Sequence, residues 1–220
     1  MRKTTVEWFY RWVGFSVANG KHKWIIDIYN RITPLPANHM MLYTEPWCAA
    51  TVSALGERLN LTEYIYPECS CNRMIALYQK NGRWEERDDY TPQIGDLCFY
   101  DWQDSGFGEC TGEADHVGMV CDVSGNTFKV LEGNYSNEVK SRTMQIDGKY
   151  IRGFGLPNYA KAAIGYKVPV DKTNIRTMAG QVPYLNIDNN NEAVKMAKIL
   201  FNSLGSVSYT DLTLPTTSRV

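Results

Sequence analysis

The apolar period of this chain changes partway along it, and that change limits the fold more than any other feature. Before about residue 80, apolar residues recur at near-helical spacing. From Pro92 onward they fall into short strand-like runs punctuated by Gly and Asn. Val6 to Asn30 reads as two short helices, broken at Gly14 and Asn19-Gly20, and the Thr33-Pro34-Leu35-Pro36 stretch cannot continue a helix. A helix is expected from about Pro46 to Leu59, with Pro46 in its first turn, where a missing N–H costs nothing. Another is expected from about Ser70 to Gln79, with Ser70 as cap and Asn81-Gly82 as a left-handed stop.

The strand-like runs are Asp96–Trp102, His116–Val123, Thr127–Gly133, Ser141–Ile146 and Lys149–Gly155. They are short, close together and joined by turn residues such as Ser124-Gly125-Asn126 and Asp147-Gly148, which favours antiparallel hairpins. Helices first and strands afterwards predict an α+β domain, with the N-terminal helices packed on an antiparallel sheet. Beyond Pro157 the pattern weakens. Residues 1–159 are therefore expected to form the main domain and 160–185 a linker. A last periodic stretch, 186–205, carries Val194, Ala197, Phe201 and Leu204 on one face, and 206–220 fits neither neighbour and stays unassigned.

A net charge of -1 with pI near 6.3 gives no basic field of the kind that collects phosphates, so nucleic acid is not an expected partner. Most Asp and Glu fall within residues 46–159, which reads as a solvated face. The first twenty residues are interrupted by Glu7 and Arg11 and contain no unbroken apolar h-region, so they do not read as a signal peptide. No run approaches the roughly 18 apolar residues that cross a bilayer. The expectation is a soluble monomer, made in the cytoplasm, with no membrane partner. Six cysteines in such a chain should begin as thiols, with Cys98 and Cys121 as core residues of strand-like runs.

Cys48 falls at a helix start, where unpaired N–H groups and the positive end of the helix dipole stabilise a thiolate and can also hold an oxyanion. A thiolate nucleophile needs a base. Of the three histidines, His22 lies between lysines and His39 in a Pro-rich stretch, so both read as surface residues. His116 instead opens the strand Asp115-His116-Val117-Gly118, where Gly118 is expected to leave space for substrate or for the nucleophile's helix.

A catalytic imidazole also needs an acceptor that fixes its tautomer, and Glu132 and Asn134 lie two residues apart on the neighbouring strand. Hairpin register decides whether they can serve. A regular two-residue Gly125-Asn126 turn would pair Glu132 with Met119, on the face opposite His116. A three-residue loop or a bulge would pair Gly118 with Glu132 and His116 with Asn134, and would gather all of them on one face.

The strings Pro46-Trp47-Cys48-Ala49-Ala50-Thr51-Val52-Ser53, Pro92-Gln93-Ile94-Gly95-Asp96-Leu97, Asp115-His116-Val117-Gly118 and Glu132-Gly133-Asn134 resemble, in order and approximate spacing, the cysteine, histidine-dependent amidohydrolase/peptidase (CHAP) family. The resemblance spans roughly residues 6–159. It implies a papain-like α+β fold in which Cys48 attacks an amide carbonyl and His116 moves the proton. Glu132 would orient His116, and Asn134 would support the site or polarise the substrate. It also implies peptidoglycan as substrate and an endolysin-like role, acting on the wall after release from the cytoplasm.

No cofactor is expected. The Asp cluster with which some family members bind calcium is not found around Asp27, and the Cys69/Cys71 pair, even with Cys110 or Cys121, lacks zinc-knuckle spacing. Tyr43 is a weak candidate for a second oxyanion donor and is expected to be a packing residue. The stretch from Val182 to Gly205 is similar to the opening of a helical peptidoglycan-binding domain, cut short after one helix. Two other classes remain open: a silent wall-binding protein that keeps the fold, and a papain-like acyl-transfer enzyme acting on another peptide. The intact Cys48, His116 and Glu132 set argues against the first.

Overall fold

The computed structural model describes residues 1–106 and 110–164, all within the first of the two units into which the chain divides, Met1–Pro169. The stretch 186–205 and the tail 206–220 lie outside the described residues, as does most of the expected linker.

Four helices come first: α1 (Arg2–Tyr10), α2 (His22–Tyr29), α3 (Cys48–Arg58) and α4 (Cys71–Lys80), with a single 3-10 turn at Pro36–Asn38 before α3. Helices α1, α2 and α4 each bury one side, whereas α3 is buried all round from Cys48 to Gly56. In α4, Cys71, Met74, Ile75 and Tyr78 recur at helical spacing and are buried, and Ser70 caps it by accepting a hydrogen bond from the Arg73 N–H. The stop falls at Gly82, whose φ of 61° a residue with a Cβ adopts only under strain.

Six strands follow: β1 (Trp84–Glu85), β2 (Leu97–Tyr100), β3 (His116–Ser124), β4 (Thr127–Glu132), β5 (Lys140–Gln145) and β6 (Ile151–Gly155). They form one antiparallel sheet in the order β1-β6-β2-β3-β4-β5. The α+β class and the helices-on-sheet arrangement are those expected. Among the strands, β1 is the one that the sequence pattern missed.

The pleat sorts the strands' side chains onto two faces. Leu97, Phe99, Val117, Met119 and Leu131 pack with the helices in the main core, and each fully buried side chain of this kind contributes about 1.5–3 kcal/mol. Cys98, Tyr100, Val120, Phe128, Val130, Ile151 and Phe154 form a second cluster on the other face. Helix α3 lies across the Val117–Met119 side, central in the core, with Ala49, Ala50, Val52, Ala54 and Leu55 fully buried. A short helix, α5 (Tyr159–Ala162), closes the described chain. The packed chain therefore runs beyond residue 159, into the stretch expected to be a linker. Among the described residues no helix is long and apolar enough to cross a membrane.

Candidate active site

The hairpin of β3 and β4 determines whether a site exists. Its turn is the short one: Ser124 pairs with Thr127, leaving only Gly125-Asn126 between the strands, and Gly125 has a φ of 57°. That turn would have paired Met119 with Glu132. The ladder steps instead from Asp122↔Lys129 to Val120↔Val130, so Cys121 is an extra residue, a β-bulge. Beyond it Glu132 stands opposite Gly118, on the face that carries His116. Of the two routes to that register, the chain takes the bulge.

Gly118 has a different role from the one expected. A Cβ there would lie 2.6 Å from the Leu131 carbonyl oxygen and 2.7 Å from Glu132 Cγ. The space is filled by β4 and by the Glu132 side chain, not by substrate or by α3, which packs on the opposite face. Gly133 is the residue that admits α3: a Cβ there would meet Thr51 Oγ1 at 1.9 Å.

Cys48 is the first residue of α3, with Trp47 at the cap position and Pro46 just outside the helix, one step earlier than its expected place in the first turn. Trp47 offers no side-chain acceptor to the first-turn amides. The Ala49 amide is directed at the Cys48 sulfur instead. Hydrogen bonding from Cys71 lowers the Cys48 thiol most. Burial opposes it, and the His116 contact and the Ala49 amide lower it further, leaving it well below the ordinary thiol range. The two sulfurs are 3.9 Å apart, and Cys71 opens helix α4 much as Cys48 opens α3.

His116, the first residue of β3, pairs with Tyr100 across the ladder and is 8% exposed. Its Nε2 lies 3.0 Å from Glu132 Oε2, which leaves Nδ1 as the ring nitrogen available to the Cys48 sulfur. Burial disfavours the imidazolium, but hydrogen bonds to Cys48 and Glu132 and their negative charges outweigh it and raise His116 to about 9. The ring is flanked by Tyr100 at 5.7 Å and Trp102 at 6.1 Å between centroids.

Glu132 is fully buried, and a carboxylate there carries a desolvation penalty of several kcal/mol. Four donors offset it. Besides His116, the Tyr100 hydroxyl donates to Oε1 at 3.0 Å, and Arg142 donates from Nε to Oε1 at 2.8 Å and from Nη2 to Oε2 at 3.0 Å. Burial pushes its pKa up, while His116 and Arg142 push it down further, so the carboxyl sits below its usual value. The Arg142 guanidinium is in turn covered by the rings of Tyr135, Trp102 and Tyr100, at 4.1, 5.0 and 5.5 Å from their centroids.

The structure thus brings Cys48, His116 and Glu132 together. Asn134 lies past the last ladder pair, half-buried, with a φ of 61°; it does not pair with His116. The left-handed turn ends the strand alternation that would have set its side chain beside Glu132. Tyr43 is occupied elsewhere: its hydroxyl donates to Asp27 Oδ1 at 2.7 Å. His22 is a correction, because it is buried, with its ring nitrogens against the carbonyls of Ser16 and Tyr43. His39 is exposed and pairs with Glu45, and Cys98 and Cys121 are buried, as expected.

Sequence reasoning missed Tyr100, Arg142 and the approach of Cys71. Tyr100 could have been found from the β2–β3 register, whereas Arg142 required the order of three strands. No cluster of three or more His, Cys, Asp or Glu side chains that could hold a metal occurs among the described residues.

Chemically, the arrangement favours a thiolate at a helix N-terminus and an imidazolium beside it, with a buried carboxylate hydrogen-bonded to the ring. Residues 40–134, from before Cys48 to Asn134, match the family model of the CHAP domain. No curated protein and no solved structure matches the chain.

Proposed function

We propose, from the premise that this chain carries a CHAP domain and so a cysteine- and histidine-dependent amidase or peptidase, that its substrate is bacterial peptidoglycan. Cys48 attacks the carbonyl carbon of a wall amide as the thiolate, and the developing oxyanion is held by backbone N–H groups at the start of α3. His116 gives its proton to the departing amine, leaving a thioester on Cys48. Neutral His116 then takes a proton from water, which hydrolyses the thioester and frees the thiol. Glu132 holds the ring through Nε2 throughout and acts as a positioning residue.

The observation that carries this reading is the 3.0 Å His116–Glu132 contact made by a bulged register beside a helix-start cysteine. A silent binding protein needs neither a thiolate nor a fixed imidazole. The choice of peptidoglycan rests on the family resemblance.

The full chain should clear a turbid suspension of purified cell walls, and Cys48→Ala should not, with a loss of at least about 10³-fold. Mass spectrometry of the released fragments should show new amino termini, borne by the first stem-peptide residue together with free lactyl carboxyls if the sugar–peptide amide is cut. Clearing that survives Cys48→Ala would remove the mechanism. Failure of the wild type on walls, with activity on another peptide amide, would favour a different acyl-transfer substrate.

A further inference from the structure

Cys71 takes no covalent part in the hydrolysis described above, although its hydrogen bond lowers the Cys48 thiol most; its sulfur is 3.9 Å from that of Cys48 and both thiols are buried. The other sulfurs are engaged elsewhere. Cys69 contacts Glu68 and Arg73, Cys110 donates to Asp101 Oδ2, Cys98 is fully buried in the second cluster, and Cys121 is the bulge residue near Tyr10. From this juxtaposition we propose that Cys48 and Cys71 form a disulfide-forming modification site: a peroxide oxidises Cys48, and Cys71 resolves the product into a reversible Cys48–Cys71 disulfide.

The chemistry balances. The Cys48 thiolate attacks one oxygen of hydrogen peroxide, the O–O bond breaks, and Cys48 becomes a sulfenic acid while hydroxide leaves and is protonated to water. The Cys71 sulfur then attacks the Cys48 sulfur, the S–S bond forms, the S–OH bond breaks, and the hydroxide lost takes up the Cys71 proton as a second water. Two thiols are oxidised and one peroxide is reduced to two waters. Closing 3.9 Å to a bond of about 2.0 Å needs a movement of roughly 2 Å, shared by the first residues of two helices.

The order of events is built into the pair. While Cys48 is a thiolate, its hydrogen bond and negative charge, together with burial, hold the Cys71 proton on and push that thiol well above its ordinary value. Conversion of Cys48 to a neutral sulfenic acid removes that hydrogen bond and charge. The backbone N–H at the start of α4, which favours the Cys71 anion, remains. Cys71 therefore becomes nucleophilic once its partner has been oxidised. Substrate access to Cys48 is lost in the disulfide and returns on reduction, and Cys48 is kept from irreversible oxidation to the sulfinic acid.

The inference rests on Cys48 being the reactive thiol but not on the identity of the amide cleaved, and its primary readout is the protein itself. The full chain is treated with a small excess of hydrogen peroxide, alkylated, digested and analysed by mass spectrometry. Wild type should yield a Cys48–Cys71 cross-linked peptide, two hydrogens lighter than the paired thiols, and a thiol reductant should restore wall clearing. Cys71→Ala should instead accumulate sulfinic Cys48 and recover at least roughly tenfold less activity on reduction.

Cys71→Ser provides a second variant should the alanine form fold poorly, and Cys69→Ser should leave the cross-link intact. A cross-link from Cys48 to Cys69 or Cys110, or equal irreversible oxidation of Cys48 in wild type and Cys71→Ala, would overturn the proposal. A Cys48–Cys71 cross-link in a protein that clears no walls would uphold it while the peptidoglycan assignment failed.

Discussion

A fully buried carboxylate beside an imidazole would tend to take the proton unless other donors held its charge, and Tyr100 and Arg142 do this for Glu132. Against burial, the Cys48 sulfur and then Glu132 raise His116 to about 9, while Cys48 is lowered well below the usual thiol range. The two shifts together favour the thiolate–imidazolium pair on the acidic side of about 9. Rates of hydrolysis should fall as pH rises through about 9, when His116 loses the proton it must give the leaving amine. Glu132→Gln removes the carboxylate, so the alkaline limb should move down toward the ordinary value of 6.5, and kcat/KM at neutral pH should fall by on the order of 10²-fold. An unmoved alkaline limb in a pH–rate profile would show that Glu132 does not support the ring.

Stability follows with a definite sign. The folded His116 value lies above 6.5, so its contribution is complete below 6.5 and is lost as pH rises through about 9. Cys48 and His116 were singled out by a helix start, a strand start beside a glycine and the family-like order of four motifs together. Arg142 and Cys71 were not, because each reaches the site through a contact that only the assembled sheet and the packing of α3 near α4 create.

At the scale of elements, the bulge at Cys121 does what no single side chain does: it turns β4 so that Glu132 shares a face with His116. The need for an offset was readable from the sequence, because Gly125-Asn126 is a short turn and the count of residues then puts Glu132 on the wrong side. Its location was not readable, since the weak strand formers in Val117 to Val123 are Gly118 and Asp122 and the bulge falls on Cys121. Strand β1 was equally hidden, since Trp84-Glu85 is too short to show a period and is held by pairing with Gly155 and Phe154. The side chain of Glu132 reaches His116 across Gly118, so Gly118→Ala should press a Cβ on the Leu131 carbonyl and on Glu132 Cγ. The expected result is a stability loss of about 1–3 kcal/mol in denaturant melts. Activity should fall further than stability accounts for, because the carboxylate is displaced. Activity that merely tracks the folded fraction would mean that the Glu132 position tolerates the shift.

For the molecule as a whole, the question is where the folded domain ends. The loss of strand alternation after Pro157 placed its edge at 159, but the sequence gives little sign of α5, a helix of four residues anchored by one aromatic side chain. Tyr159 is buried, its hydroxyl donates to the Gly95 carbonyl at 2.9 Å, and the Arg2 guanidinium sits 5.0 Å above its ring. Arg2 also pairs with the buried Asp96 at 2.6 Å. One contact set thus joins the start of α1, the loop before β2 and the last described helix. Gly95, with a φ of 90°, leaves room for that ring, since a Cβ there would touch it at 3.0 Å. A chain ending at residue 157 should therefore be less stable than one ending at 169 by about 3–5 kcal/mol, the range for deleting a large buried aromatic side chain. Tyr159→Ala in the full chain should reproduce most of that loss. Both can be read from denaturant midpoints at fixed pH. Equal midpoints for the two truncations would place the edge of the domain at Pro157, where the periodicity fades, and would make α5 an ornament of the surface instead of part of the core.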